Sequence, residues 1–424
     1  MPLSKAKIAM VAGVFAASPD VVLRRLESVL AGARSADPSL DEVHELAATE
    51  SGRRATVAAV FAPILPLMAV PWAAGASVKP KALRSVWSEV AINDPDLAAR
   101  ATAGARTFWN PEAPPVEFDI ACRRAVEFAD DANLARLLRL CPLLRSIQPR
   151  LGGWIHSLSG EHVAAVRLAF KDALTLDADA ARAFWDAVMA MLPNPWQVIR
   201  LISAATDRPS DRYLAESELA GIGERILDDI DSRIGSLKRF DPSCGEEAGA
   251  AEAASLLIAV HEIAEFEEWL TLRRDGPWGQ RIAEQKVALS LAMEARLRET
   301  EPAVAAALPT QPGRGMGKAV RPAPKLAADP QPVLVTRARA LLTLLEEARM
   351  SAGVGGFASV RMKVLESLEK RLDQYCEDLV EVLHKREVED LDRARAYLEI
   401  AADFVALIKG APAGQIIRRR AAAA

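Results

Sequence analysis

The spacing of hydrophobic residues along this chain is typical of α-helices almost throughout. Apolar residues recur every three or four positions, which is the period of a helix with one buried face. Stretches that alternate apolar and polar residues, as strands do, are few, and the chain holds only three tyrosines. A capping residue stands in front of proline at Ser18-Pro19 and Asp94-Pro95, which marks helix starts. The pattern predicts an all-α fold.

The connections between these helices predict how the chain is organised. No fixed repeat period is present, so the N-terminal region is expected to be a multi-helix bundle or an irregular α-solenoid. Seven prolines between Pro302 and Pro332 predict an extended linker. The long central helices are predicted at about 210–239, 246–274 and 279–300. The expected segments are 1–110, an N-terminal helical subdomain; 111–301, a central helical subdomain; 302–332, the linker; 333–410, a C-terminal three-helix, coiled-coil-like bundle; and 411–424, a basic and alanine-rich tail.

One uncharged run of 24 residues, Ala55–Val78, is long enough to cross a bilayer. Pro63, Pro66 and Pro71 interrupt it, and each proline removes a backbone donor and clashes with the preceding turn. In lipid the carbonyls freed in this way would lack partners. We therefore expect a helix that ends near residue 62, followed by a bent segment packed inside a helical protein. A membrane span remains the alternative.

The C-terminal region carries the most regular pattern. Two stripes of apolar residues recur at heptad spacings of three and four, which predicts helices that each bury one narrow seam. These positions are Leu365, Leu368, Leu372, Tyr375, Leu379 and Val382 in the first stripe, and Leu391, Ala394, Leu398, Ala401, Val405 and Ile408 in the second. The stripes are out of phase, so a turn near 384–389 would let them face each other. The seam could pack within one chain or form a homo-oligomer with a second copy.

Composition and charge narrow the class of protein. A net charge of −4 gives no general attraction to nucleic acid, and none is expected as a partner. The four cysteines are far apart in the sequence, which is typical of buried thiols in a reducing compartment. Residues 8–17 resemble a short secretory signal, but a helix start follows at once. A cytoplasmic, bacterial protein is the expectation.

The segment around His261 and Glu265 has the residue types most typical of a metal-binding or catalytic site. On a helix these residues share a face and could together ligate a metal ion. The related zinc-protease motif has a second histidine where this chain has glutamate, and no third ligand lies near in the sequence. We treat the two residues as weak metal candidates and expect neither a cofactor nor a catalytic site.

These observations favour a non-enzymatic, cytoplasmic helical scaffold, adaptor or regulatory protein that acts through protein–protein contacts. One alternative is an enzyme or a metal- or ligand-binding helical protein with a site near His261 and Glu265. A second alternative is a membrane-associated helical protein that uses 8–17 or 55–78. The identity of a protein partner cannot be obtained from the sequence.

Overall fold

The computed structural model has the all-α, multi-helix fold that the sequence predicts. It describes residues 4–33, 39–68, 79–312, 322–385 and 390–422. Extended structure within these residues is limited to one pair of three-residue strands and one isolated bridge. The chain divides into two compact units, which are Met1–Pro209 with Glu216–Ile222 and Ser210–Ala215 with Gly223–Ala424.

The first unit contains short and medium helices joined by tight connections. They are α1 (Lys5–Ala17), α2 (Asp20–Ala33), α3 (Ser39–Val60), α4 (Pro80–Asn93), α5 (Pro95–Arg106), α6 (Val116–Ala125), α7 (Ala132–Ile147), α8 (Leu151–His156), α9 (Gly160–Leu176), α10 (Ala180–Met191) and α11 (Val198–Ala205). The predicted cap at Asp94 is present, because its carboxylate accepts a hydrogen bond of 3.1 Å from the backbone N–H of Leu97. This bond satisfies one of the amides that a helix start leaves without a partner.

The uncharged run is helical as far as Val60 and then bends, as its prolines predict. A single 3₁₀ turn follows at Leu65–Met68. Phe61 and Ile64 are fully buried in this bend, so residues 61–68 are interior packing. The rest of the run, 69–78, lies outside the described residues. Among the helices that the structure describes, none combines the length and apolar character needed to cross a membrane.

The end of α3 is held by a buried arginine. Arg145 on α7 is 1% exposed, and its guanidinium donates to the carbonyls of Ala59 and Val60. The same group pairs with Asp119 of α6 at 3.1 Å. The thiol of Cys141 lies 3.5 Å from the Val60 carbonyl, and burial raises its pKa well above the ordinary value. These contacts satisfy carbonyls that the proline-rich segment leaves without backbone donors.

The helices of the second unit are mostly longer, apart from the first of them, which has five residues. They are α12 (Asp211–Ala215), α13 (Ala220–Arg239), α14 (Glu246–Trp269), α15 (Pro277–Ala307), α16 (Pro332–Glu347), α17 (Ala358–Lys385), α18 (Leu391–Lys409) and α19 (Ala411–Ala422). The helix predicted at 210–239 is split into α12 and α13. The helix predicted at 279–300 continues to Ala307, through Pro302. Pro302 is exposed, so water can bond the carbonyl that this proline leaves without a donor.

Helix α16 is the central element of the second unit. It contacts α14, α15 and α18, and residues 340–345 are all buried. A helical segment that is buried on every side, as 340–345 is, belongs in the interior and not at the edge of a bundle. Its approach to α14 is close, since a Cβ atom built on Gly249 would lie 2.3 Å from the carbonyl oxygen of Ala340. Glycine at position 249 allows the two backbones to meet.

The C-terminal helices also pack against the central ones. Within 333–410, α16 contacts α14 and α15 as well as α18, and these helices belong to one compact unit. The expected linker 302–332 begins inside α15, and a strand pair of Thr310–Pro312 with Pro322–Pro324 follows. Residues 313–321, between the strands, lie outside the described residues.

Residues 411–422 form α19, which packs on α18, and Gly414 and Ile417 are buried there. Arg418 pairs with Glu399 and Asp403 on α18. The arginines of the tail therefore include one that anchors a helix.

Candidate interaction surface

His261 and Glu265 occupy different environments on α14. The imidazole of His261 is exposed, whereas Glu265 is 4% exposed. Although the two residues are four apart, the helix therefore directs one toward solvent and the other toward the core. Across the part of the chain that the structure describes, no three His, Cys, Asp or Glu side chains are placed to hold a metal ion. The geometry gives no support to a metal site at this pair.

The neighbouring Glu262 is the most perturbed acidic group here. It is 3% exposed and lies against Asp229 and Arg233 of α13. Burial removes water from its carboxyl group and, with the adjacent Asp229 carboxylate, raises the pKa of Glu262 to about 9. Arg233 opposes this shift weakly, because its Nε atom is 3.9 Å from Glu262 but only 2.7 Å from Asp229. Glu262 therefore carries a proton at neutral pH.

The polar groups of this cluster serve to pack α13 against α14. The carboxylate of Asp229 helps to raise the pKa of Glu262, and Arg233 also donates to the Ser255 hydroxyl at 3.3 Å. Nearby, Ser236 of α13 donates to Glu252 of α14 at 2.9 Å. Polar groups buried between two helices are tolerated when they find partners in this way. The cluster joins α13 to α14 and lines neither of the grooves described below.

The predicted seam residues lie inside the protein. Leu368, Leu372, Leu379, Leu398 and Val405 are each 2% exposed or less, and Tyr375 is 3% exposed. Ala394, Ala401 and Ile408 are buried as well, and the remaining members, Leu365, Val382 and Leu391, are half-buried. Helices α17 and α18 pack against each other, so the seam is occupied within one chain. Self-association through these residues would first require the two helices to separate.

A different apolar surface is open to solvent on α15. Val287 and Leu291 are 60% and 62% exposed, although both are large hydrophobic residues on a helix whose other side is buried. Together with Ala283 and Ala288 they form a continuous strip, because residues three, four and eight apart share a helix face. We call Ala283, Val287, Ala288 and Leu291 the α15 ridge.

Two grooves run along this ridge. The first has a volume of about 560 Å³, and its remaining lining residues are Lys238 at the end of α13 and Glu284. The second, about 370 Å³, shares Ala283 and Val287 with the first and adds Leu272, Arg274 and Lys286. An apolar floor with charged edges is the usual composition of a surface that receives a partner side chain or helix.

The sequence itself contains a signal for this ridge. In α15 the buried face includes Ile282, Leu289 and Met293. The spacing of Val287 and Leu291 places them outside that face, so these two residues are not needed for the core. An amphipathic helix with apolar residues on its polar side indicates a second contact surface.

Comparison with known proteins identifies no relative of this chain. No protein-family model, no curated protein and no solved structure matches this chain.

Proposed function

We propose that this chain is a non-enzymatic, cytoplasmic helical scaffold or adaptor that binds a protein partner through the α15 ridge. The observation that carries the proposal is the exposure of Val287 and Leu291 beside two grooves with charged edges. Large apolar side chains that form a contiguous exposed strip are typical of protein contact sites.

The form of the ridge favours a particular kind of partner. Its apolar residues repeat along one helix, so the complementary surface is an amphipathic helix with hydrophobic residues at positions i, i+4 and i+7. Lys238, Arg273, Arg274 and Lys286 stand at the edges of the grooves, together with the carboxylates of Glu267 and Glu284, and Lys286 pairs with Glu267 at 2.7 Å. We expect acidic residues beside the apolar stripe of the partner helix.

Site-specific photo-crosslinking tests the proposal. A photoreactive amino acid is placed at Leu291 of the full chain in living cells, and adducts are identified by mass spectrometry. Ile92 on α4 is the matched control position, because it is 71% exposed and equally apolar. The proposal expects a defined adduct with another protein at position 291 and none at position 92.

The affinity of the captured partner then gives a quantitative check. The double variant Val287→Asn and Leu291→Asn is expected to weaken binding roughly a hundredfold, since a few central apolar residues carry most interface energy. Ile92→Asn should leave the dissociation constant unchanged. No adduct at position 291, or an adduct with a second copy of this chain alone, would contradict a role as an adaptor.

A further inference from the structure

The densest group of exposed large hydrophobic residues lies on the first two helices. Six such residues fall within twenty positions of the chain. They are Met10 and Val14 on α1, and Val21, Val22, Leu26 and Val29 on α2. We call this group the N-terminal surface. A water-exposed patch of this kind is unfavourable unless another apolar phase covers it.

The orientation of these residues follows from how the two helices are held. Phe15 of α1 and Leu23 of α2 are buried against Ala47 of α3, so each helix turns its inner side toward α3. Arg54 of α3 secures the turn between them, donating to the carbonyls of Phe15 and Ser18 and pairing with Asp20. Most of the exposed apolar residues lie outside these inner sides, whereas Leu26, three residues after Leu23, lies at the edge of the inner side of α2.

Cationic side chains share these outward faces. Lys7 stands three and seven residues before Met10 and Val14, which places all three on one side of α1. Arg25 lies between Val22 and Val29 at spacings of three and four, on the exposed side of α2. Lys5 and Arg24 are also exposed.

The acidic residues of these helices offset this charge only in part. Asp20 is paired with Arg54, and Glu27 is half-buried. The N-terminal surface is therefore apolar and positively charged together.

We propose that the N-terminal surface binds peripherally to an anionic lipid bilayer. Exposed apolar residues with interspersed lysine and arginine match the interface of such a membrane, where side chains enter the acyl boundary and cations meet lipid phosphates. A second copy of the chain fits less well, because two identical surfaces would bring their cations together. This inference concerns α1 and α2 and is independent of the α15 ridge.

Vesicle flotation of the full chain tests it. The probes are vesicles of phosphatidylcholine alone and of phosphatidylcholine mixed with phosphatidylserine. The protein should float with the mixed vesicles, and high salt should weaken its binding. Lys7→Gln with Arg25→Gln is expected to lower the partition coefficient roughly thirtyfold, at about 1 kcal/mol per cation. Val22→Asn with Val29→Asn should lower it at least about tenfold.

The matched control is Val287→Asn with Leu291→Asn, which removes two exposed apolar residues from the second unit and should bind vesicles as the wild type does. All these residues are exposed, and circular dichroism confirms that each variant is folded. Absence of binding to mixed vesicles would overturn the proposal. So would binding that the N-terminal variants do not reduce, or light scattering that shows a dimer lost in Val22→Asn with Val29→Asn.

Discussion

Replacement of Glu262 by glutamine should make the protein more stable at neutral and alkaline pH. Glutamine has nearly the same shape and keeps a hydrogen-bond donor for Asp229, but it has no proton to lose. Folded Glu262 keeps its proton up to a pKa of about 9, whereas the unfolded side chain loses it near 4.5. Between these values the folded state binds one more proton than the unfolded state, so stability falls as pH rises.

The size of the effect follows from this difference. Each pH unit between the two pKa values removes about 1.4 kcal/mol from the free energy of unfolding of the wild type. The contribution is fully present below the unfolded pKa and is lost once the pH passes the folded pKa. From pH 5 to pH 8 the wild type should therefore lose about 4 kcal/mol relative to Glu262→Gln. That is a large part of the ordinary stability of a domain.

Urea unfolding followed by circular dichroism at several pH values measures this difference. Hydrogen exchange in peptides from α13 and α14 assigns it to the second unit. Glu268→Gln is the matched control, because it is the same substitution at an exposed position of α14. Parallel stability curves for the wild type and Glu262→Gln across this pH range would refute the protonated state of Glu262.

Three further substitutions, one of them with a matched control, test the packing. Gly249→Ala should destabilise the second unit by about 1–3 kcal/mol, because the new methyl group meets a backbone carbonyl. The control Gly235→Ala should be neutral or stabilising, because its methyl group meets only the end of an arginine side chain. Urea unfolding compares the two variants. Arg145→Ala should reduce the free energy of unfolding of the first unit by about 3 kcal/mol or more, because it leaves buried carbonyls of α3 without donors. A lower melting temperature would report this loss. Tyr375→Phe should preserve or raise stability by about 1 kcal/mol, because the buried hydroxyl has no hydrogen-bond partner among the described residues, and a clear loss in thermal unfolding would show that one exists.

The α15 ridge and the N-terminal surface differ in their chemistry. The ridge combines apolar residues with charges of both signs, which suits a folded partner with matching charges. The N-terminal surface has mostly cations around its apolar residues, which suits a lipid surface of uniform negative charge. The vesicle test uses variants of the α15 ridge as its control, and the crosslinking test leaves the N-terminal surface unchanged. The two proposals can therefore fail separately.

Local sequence determined the helical character of this protein and many of its breaks. A helix such as α11 has one strongly apolar side, and Asp94 before Pro95 supplies the cap and the fixed backbone angle of a helix start. These elements therefore follow from neighbours a few residues apart. The bend after Val60 was likewise predictable, because proline removes a donor whatever surrounds it. The seam spacing predicted which sides of α17 and α18 are buried.

Tertiary structure alone decided which partners those faces meet. The run of buried residues in α16 showed that it is interior, but only packing revealed α14 and α15 beside it and the contact at Gly249. The proton on Glu262 depends on Asp229, more than thirty residues away, and on the water that both helices exclude. Exposure of Val287 and Leu291 is also a property of the assembled unit. Periodicity reports the face of one helix, whereas burial, pKa and close contact arise between helices that are distant in sequence.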